Sequence, residues 1–128
     1  MSSLNKVLLI GNVGKAPEIK GQEGANKVAI ITLATSERYT DRSGEKKEET
    51  EWHTVVAYGR LADVTERFIK KGSLLFIDGK IRTRKWTDRD GGTRYSTEVL
   101  ASNIQMLNKI EEAAPQMDAD DDLPEFFK

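Results

Sequence analysis

The chain contains no cysteine, which excludes a disulfide framework, a cysteine-ligated zinc site and a thiol nucleophile, and fits a reducing compartment. It has one histidine, His53, so a Ser-His-acid set or a histidine-bearing metal site would have to be built around a single residue. No run of about 18 apolar residues occurs and no basic segment precedes an apolar one, so neither a membrane span nor a signal peptide is expected. A soluble cytoplasmic protein is the expectation. The patterns GxxxxGK[ST], GxGxxG and HExxH are also missing, and "GNVG" at residues 11–14 reads as a turn rather than a phosphate cradle. These absences point away from an enzyme, and no cofactor or metal is expected.

What the chain has is a segregated charge. Over its 128 residues the formal net charge is −1, but residues 1–110 carry 19 Lys+Arg against 14 Asp+Glu, and residues 111–128 carry 1 against 7. A basic body followed by an acidic tail implies a polyanionic partner for the body and basic protein surfaces for the tail. The length fits one domain.

Short β-branched runs dominate the body. "KVLLIGNVG", "NKVAIITLATSERY", "TEWHTVVAYG", "SLLFIDGKIRTRKWT" and "TRYSTEVLASNIQML" read as five strands, the fourth interrupted at Gly79, with "DRSGEKKEE" a charged loop and "DRDGG" a turn. Between the third and fourth strands "LADVTERFIKKG" changes period. Leu61, Val64 and Phe68 share a helical face, and Gly72 stands where a C′ glycine would. Five strands with one short helix between strands 3 and 4 is the order of the OB-fold, an all-β Greek-key barrel that binds oligonucleotides and oligosaccharides. The expected core supply is Val7, Leu9, Val28, Ile30, Leu33, Val55, Leu75, Ile77, Val99 and Ile104. Residues 1–107 form this domain, and residues 108–128 are expected to be a disordered acidic tail.

Strand parity sorts the aromatic residues. Trp52, Thr54, Val56 and Tyr58 share one face, with His53, Val55 and Ala57 on the other, and Trp52 stands about 20 Å from Tyr58. Trp86 shares a face with Arg82 and Arg84, while Tyr39 lies between Arg38 and Arg42. The aliphatic supply makes it unnecessary to place all four rings in the core. Aromatic faces interleaved with cations suit single-stranded nucleic acid, whose bases stack on the rings while Lys and Arg neutralise phosphates. Duplex DNA hides those base faces, and no recognition helix is evident.

Through "NKVLLIGNVG", "ITLATSERYTD", "TEWHTVVAYGRLADV", "KKGS" and "GKIRTRKWTD", in order, the chain resembles the bacterial-type single-stranded DNA-binding protein family. The resemblance covers roughly residues 4 to 107 and implies an OB-fold, assembled as a homotetramer, that coats single-stranded DNA in replication, recombination and repair. It puts base-stacking roles on Tyr39, Trp52, Tyr58 and Trp86, and phosphate-contacting roles on Lys6, Arg60, Lys70, Lys71, Arg82, Arg84 and Lys85. His53 falls near a subunit contact. Tyr39 stands where the family commonly has tryptophan, and Tyr58 where it has phenylalanine. Asp120, Asp121, Asp122, Leu123, Pro124, Phe126 and Phe127 resemble the family's partner-recruiting tail, with Glu125 and Lys128 as departures. The alternatives are an RNA-binding OB-fold module, a primosome-type protein-interaction module and, with no metal site to support it, an enzyme of nucleic-acid metabolism.

Overall fold

The computed structural model describes residues 2–21 and 26–108; the nine tail positions named above, Glu125 and Lys128 among them, lie outside these residues, as does the expected disorder of the tail beyond residue 108. The chain order is β1 (Val7–Val13), β2 (Glu18–Lys20), β3 (Val28–Thr40), β4 (Lys46–Tyr58), α1 (Arg60–Phe68), β5 (Leu74–Thr87) and β6 (Thr93–Met106). The sheet runs β1-β5-β6-β4-β3-β2, and an additional β1–β3 pairing closes it. Five strands thus form the OB-fold barrel, and the three-residue β2, unexpected from the sequence, is an edge strand on β3. All contacts between neighbours are antiparallel except the β4–β6 seam, which is parallel at Val55/Val99 and Val56/Leu100.

The interior is aliphatic. Ala29, Ile31, Leu33, Val55, Ala57, Leu75 and Ile77 are fully buried, Val99, Ala101 and Ile104 nearly so, and Val7 and Leu9 pack against them. No aromatic ring is among the buried residues described. Val28 and Ile30, expected in the core, instead point outward at partial exposure, because the odd positions of β3 face the interior. The apolar run "VAIITL" carries no polar alternation by which its inward face could be read.

β5 runs through Gly79 without a break; the irregularity lies across from it. Pairing passes from Asp78/Asn103 to Gly79/Ala101, so Ser102 has no partner on β5. This one-residue bulge switches the inward parity of β6 from Val99 and Ala101 to Ile104 and Met106. A Cβ built on Gly79 would lie well inside van der Waals contact with the Leu100 carbonyl. Gly79→Ala is therefore expected to destabilise the barrel by about 1–3 kcal/mol, since a backbone carbonyl cannot swing aside as a flexible side chain can. Urea denaturation measures this directly.

The helix turns a different face inward from the one expected. Ala62 and Thr65 are buried and Leu61 packs on the core, whereas Phe68 is exposed under the Arg67 guanidinium, 5.1 Å from the ring centroid. Small Ala and Thr side chains allow close approach, and the Thr65 hydroxyl donates to the Leu61 carbonyl at 2.8 Å. The helix ends at Phe68 with Ile69 extended, so Gly72 is not its C′ residue but a positive-φ turn residue beyond it. Lys27 ties β3 to the helix. Its ammonium donates to Asp63 at 3.0 Å and to Glu66, and these carboxylates raise its pKa, Glu66 first.

Two hairpins project beyond the barrel. β3–β4 pairing continues out to Thr40/Lys46, and β5–β6 pairing to Thr87/Thr93. The segment expected as a loop, "DRSGEKKEE", is therefore half strand. Its charged residues sit on a ribbon with both faces in water, where no burial exists to impose a hydropathy alternation.

Candidate nucleic-acid interface

Trp52, Tyr58, Tyr39 and Trp86 are respectively 58%, 42%, 43% and 45% exposed, too open for core aromatics. Parity on β4 sends Trp52, Thr54, Val56 and Tyr58 outward. On the β5–β6 ribbon the outward face carries Arg82, Arg84 and Trp86, paired across with Glu98, Ser96 and Arg94. The β4–β6 seam joins the two sets: an Arg82 Nη donates to the Tyr58 hydroxyl at 3.0 Å, and the guanidinium lies 5.5 Å from the Tyr58 ring centroid.

Glu98 is the buried hub of this region, at 4% exposure. It accepts from Arg82 at 2.6 Å and lies 3.8 Å from Arg84 Nε. The Glu98 carboxylate, with the Tyr58 hydroxyl second, raises the pKa of Arg82 further. Above them is a recess of about 220 Å³ with Val28, Ile30 and Val56 as apolar floor, and Lys20, Tyr58, Arg82 and Arg84 around it. An apolar floor with an aromatic wall and cations at the rim accommodates a flat base and its phosphate.

Arg82 and Arg84 differ in their availability. Arg82 is neutralised by Glu98 and braces Tyr58, whereas Arg84 is mostly exposed and only loosely paired. Arg84→Gln is expected to reduce the slope of log affinity for oligo-dT against log salt by about 0.7. Arg82→Gln should leave that slope nearly unchanged while lowering affinity through Tyr58. Salt titrations of the two variants separate these roles.

Trp52 sits near the end of β1. A Cβ on Gly14 would overlap its ring, so the indole packs directly against that glycine, in space that any larger residue there would fill. The turn carrying Lys70 and Lys71 is bound to the same place, because Gly72 N donates to the Val13 carbonyl at 2.8 Å and Val13 N to the Ser73 carbonyl at 2.9 Å. An exposed ring and two exposed lysines are thereby brought to one end of the barrel.

The remaining positions are distributed differently. β3–β4 register pairs Tyr39 with Lys47, on the opposite face of the ribbon from Trp52, and its hydroxyl donates to the diagonal neighbour Glu49 at 3.0 Å; Glu49 raises the Tyr39 pKa. Lys85 likewise points away from Arg84 and Trp86. Lys6 is paired with Asp78 at 2.8 Å. Arg60 opens the helix, exposed, two residues after Tyr58. His53, half-buried, shares a 2.9 Å hydrogen bond with the Thr35 hydroxyl. Among the described residues no three His, Asp or Glu side chains gather as a metal-ligand set, and no helix is long and apolar enough to cross a membrane.

Sequence reasoning missed Glu98, whose burial needs the parity of a bulged strand, and Asn5. The Asn5 amide donates to the Ile81 carbonyl at 2.8 Å and accepts from its N–H at 2.9 Å. This side chain extends the β1–β5 pairing to the base of the ribbon bearing Trp86.

The two hairpin tips share one construction, legible as the repeated "DR-x-G" of residues 41–44 and 88–91. Asp41 Oδ1 accepts from the N–H groups of Ser43 and Glu45, and Asp88 Oδ1 from those of Asp90 and Gly92. Gly44 and Gly91 supply the positive φ. The Ser43 hydroxyl is the main cause holding the Asp41 pKa down, and the Arg94 guanidinium does the same for Asp88. A lowered folded pKa contributes stability that is present at neutral and mildly acidic pH and lost as pH falls through that value. Both tips are thus expected to loosen only below the ordinary aspartate range. Amide resonances of Ser43, Glu45, Asp90 and Gly92 followed down an acid titration check this.

Comparison with known proteins agrees with the fold. Residues 4–107 match the profile described as "Single-strand binding protein family". The chain is 44% identical over 110 residues to Single-stranded DNA-binding protein 1 of Xylella fastidiosa (strain 9a5c), covering 85% of this chain and 81% of that protein. Among solved structures it superposes on a Plasmodium falciparum SSB complex with ssDNA at TM-score 0.76 and 36% identity, covering 84% of this chain and 98% of the other. A deletion variant of the single-stranded DNA binding protein from Thermus aquaticus gives TM-score 0.69 and 30% identity, covering 82% of this chain and 51% of that one. With the profile spanning nearly all of the described residues and the barrel superposing on both structures, the chain belongs to the single-strand binding protein family.

Proposed function

We propose that this chain binds single-stranded DNA without sequence specificity and coats it during replication, recombination and repair, as a binding protein rather than an enzyme. The observation that carries the reading is the outward face on which Trp52, Tyr58 and Trp86 stand exposed, with Arg84, Lys70 and Lys71 in free or loosely held positions around them. Bases stack on the rings and phosphates meet the cations, with Arg82 holding Tyr58. Tyr39, Lys6, Arg60 and Lys85 extend the path beyond this face. The relatives named for single-stranded DNA binding support the same reading.

The protein works as a homotetramer in the cytoplasm, associated with the nucleoid. Support for self-association comes from β1, where Leu8 and Ile10 both point outward and are more than half exposed; such apolar area on a sheet face is consistent with a buried contact between copies. His53 lies near a subunit contact. Residues 1–107 are the binding domain, and residues 108–128 recruit partner enzymes through Asp120, Asp121, Asp122, Leu123, Pro124, Phe126 and Phe127.

Competition among oligo-dT, oligo-rU and duplex DNA of equal length tests the function. Preference for oligo-dT over both is expected, because the stacking mode needs unpaired bases and no 2′-hydroxyl. A clear preference for oligo-rU would make this an RNA-binding module instead, and equal binding of duplex would remove stacking from the account. Sedimentation checks the tetramer, since a species at the 14.4 kDa of one chain contradicts it.

A further inference from the structure

The β5–β6 ribbon has a second face. Register pairs Lys85 directly with Tyr95, Thr83 with Thr97 and Ile81 with Val99, so these residues look away from Trp86. Tyr95 is 67% exposed, more than any of the four rings in the proposed path. Among the described residues Tyr95 has no hydrogen-bond partner and Lys85 no ion pair. From Thr83 to Thr87 and from Thr93 to Thr97, the positions on this side hold threonines, Lys85 and Tyr95 and no carboxylate.

We infer that Tyr95, which no role above includes, adds a base-stacking position on the reverse face of the ribbon, stacking one base while Lys85, already placed on the path, meets the adjacent phosphate. This rests on the proposed function and deepens it: the strand passes around the ribbon instead of lying along one side. The chemistry matches the face. An aromatic and a cation at directly opposed positions, about 5 Å apart at Cβ, reach a base and its adjacent phosphate together. The absence of acid on this side leaves the lysine charge available to a polyanion. A two-stranded ribbon is thin, so a flexible strand stacked on Trp86 can turn its edge.

The test uses the full chain. Oligo-dT carrying 5-iododeoxyuridine is photo-cross-linked and the adduct mapped by mass spectrometry, and affinities are measured for Tyr95→Ala, Tyr95→Phe and Lys85→Gln. An adduct at Tyr95 is expected. Tyr95→Ala should weaken binding by about five-fold or more, the lower end of what one stacked base contributes, and Tyr95→Phe, which keeps the ring, should bind as the parent does. Lys85→Gln should reduce the salt slope by about 0.7. Because Tyr95 is so exposed, all three variants should melt as the parent does. If the parent binds oligo-dT but Tyr95→Ala binds equally well and no Tyr95 adduct forms, the subsite is wrong while the function stands. If Tyr95→Ala changes sedimentation but leaves binding unchanged, the face contacts protein and the inference is overturned. Failure of the parent itself to bind would overturn the function first.

Discussion

Replacing both tryptophans, Trp52→Ala with Trp86→Ala, is expected to weaken oligo-dT binding by about 2–6 kcal/mol, at 1–3 kcal/mol for each stacked base. The two rings lie on different elements: Trp52 rests on Gly14 at the end of β1, and Trp86 stands on the projecting β5–β6 ribbon. They share no partner, so their effects should add. The same variant should keep its fold, because each ring is about half exposed and neither belongs to the aliphatic interior. Fluorescence anisotropy with a labelled oligomer reports affinity in a protein that has lost its tryptophan signal, and a thermal melt reports stability. A large fall in melting temperature with unchanged affinity would return the tryptophans to a structural role.

Glu98→Ala separates charge from architecture. By charge alone, removing a carboxylate from a groove that attracts phosphate should improve binding. The geometry predicts otherwise. Glu98 is the buried acceptor for Arg82, and Arg82 in turn holds the Tyr58 hydroxyl, so the substitution leaves a guanidinium without its partner and Tyr58 without its brace. A hydrogen bond to a charged group contributes about 1.5–3 kcal/mol, and Arg82 is about one-third exposed, which favours the lower half of that range. For a domain of this size, about 2 kcal/mol corresponds to a melting temperature lower by on the order of 10 °C. Affinity should fall or stay level, and a gain in affinity at unchanged stability would mean that Glu98 only repels DNA.

Much of this was legible because burial leaves a period in the sequence. "TEWHTVVAYG" alternates between a ring-bearing face and an aliphatic face, and β4 places Trp52 and Tyr58 outward as that alternation requires. Two kinds of segment resisted. In "VAIITL" both faces are apolar, one lining the core and the other flooring the recess, so the outward direction of Val28 and Ile30 waited for the register with β4. In "KKEE" both faces are wet, and the extended hairpin had no hydropathy signature at all. Glu98 and Tyr39 were obscured by a third cause, register. A bulge at Ser102 sets which side of β6 Glu98 takes, and the unbroken β3–β4 pairing carries Tyr39 to the face opposite Trp52 although both rings sit beside charged neighbours in sequence.

The central claim, that exposed rings and cations bind a single strand together, is tested most directly by titrating the protein with oligo-dT at two salt concentrations while following tryptophan fluorescence. Strong quenching is expected at both salts, with a log affinity that falls with log salt at about −0.7 per phosphate neutralised. Unchanged fluorescence, or an affinity independent of salt, would contradict it.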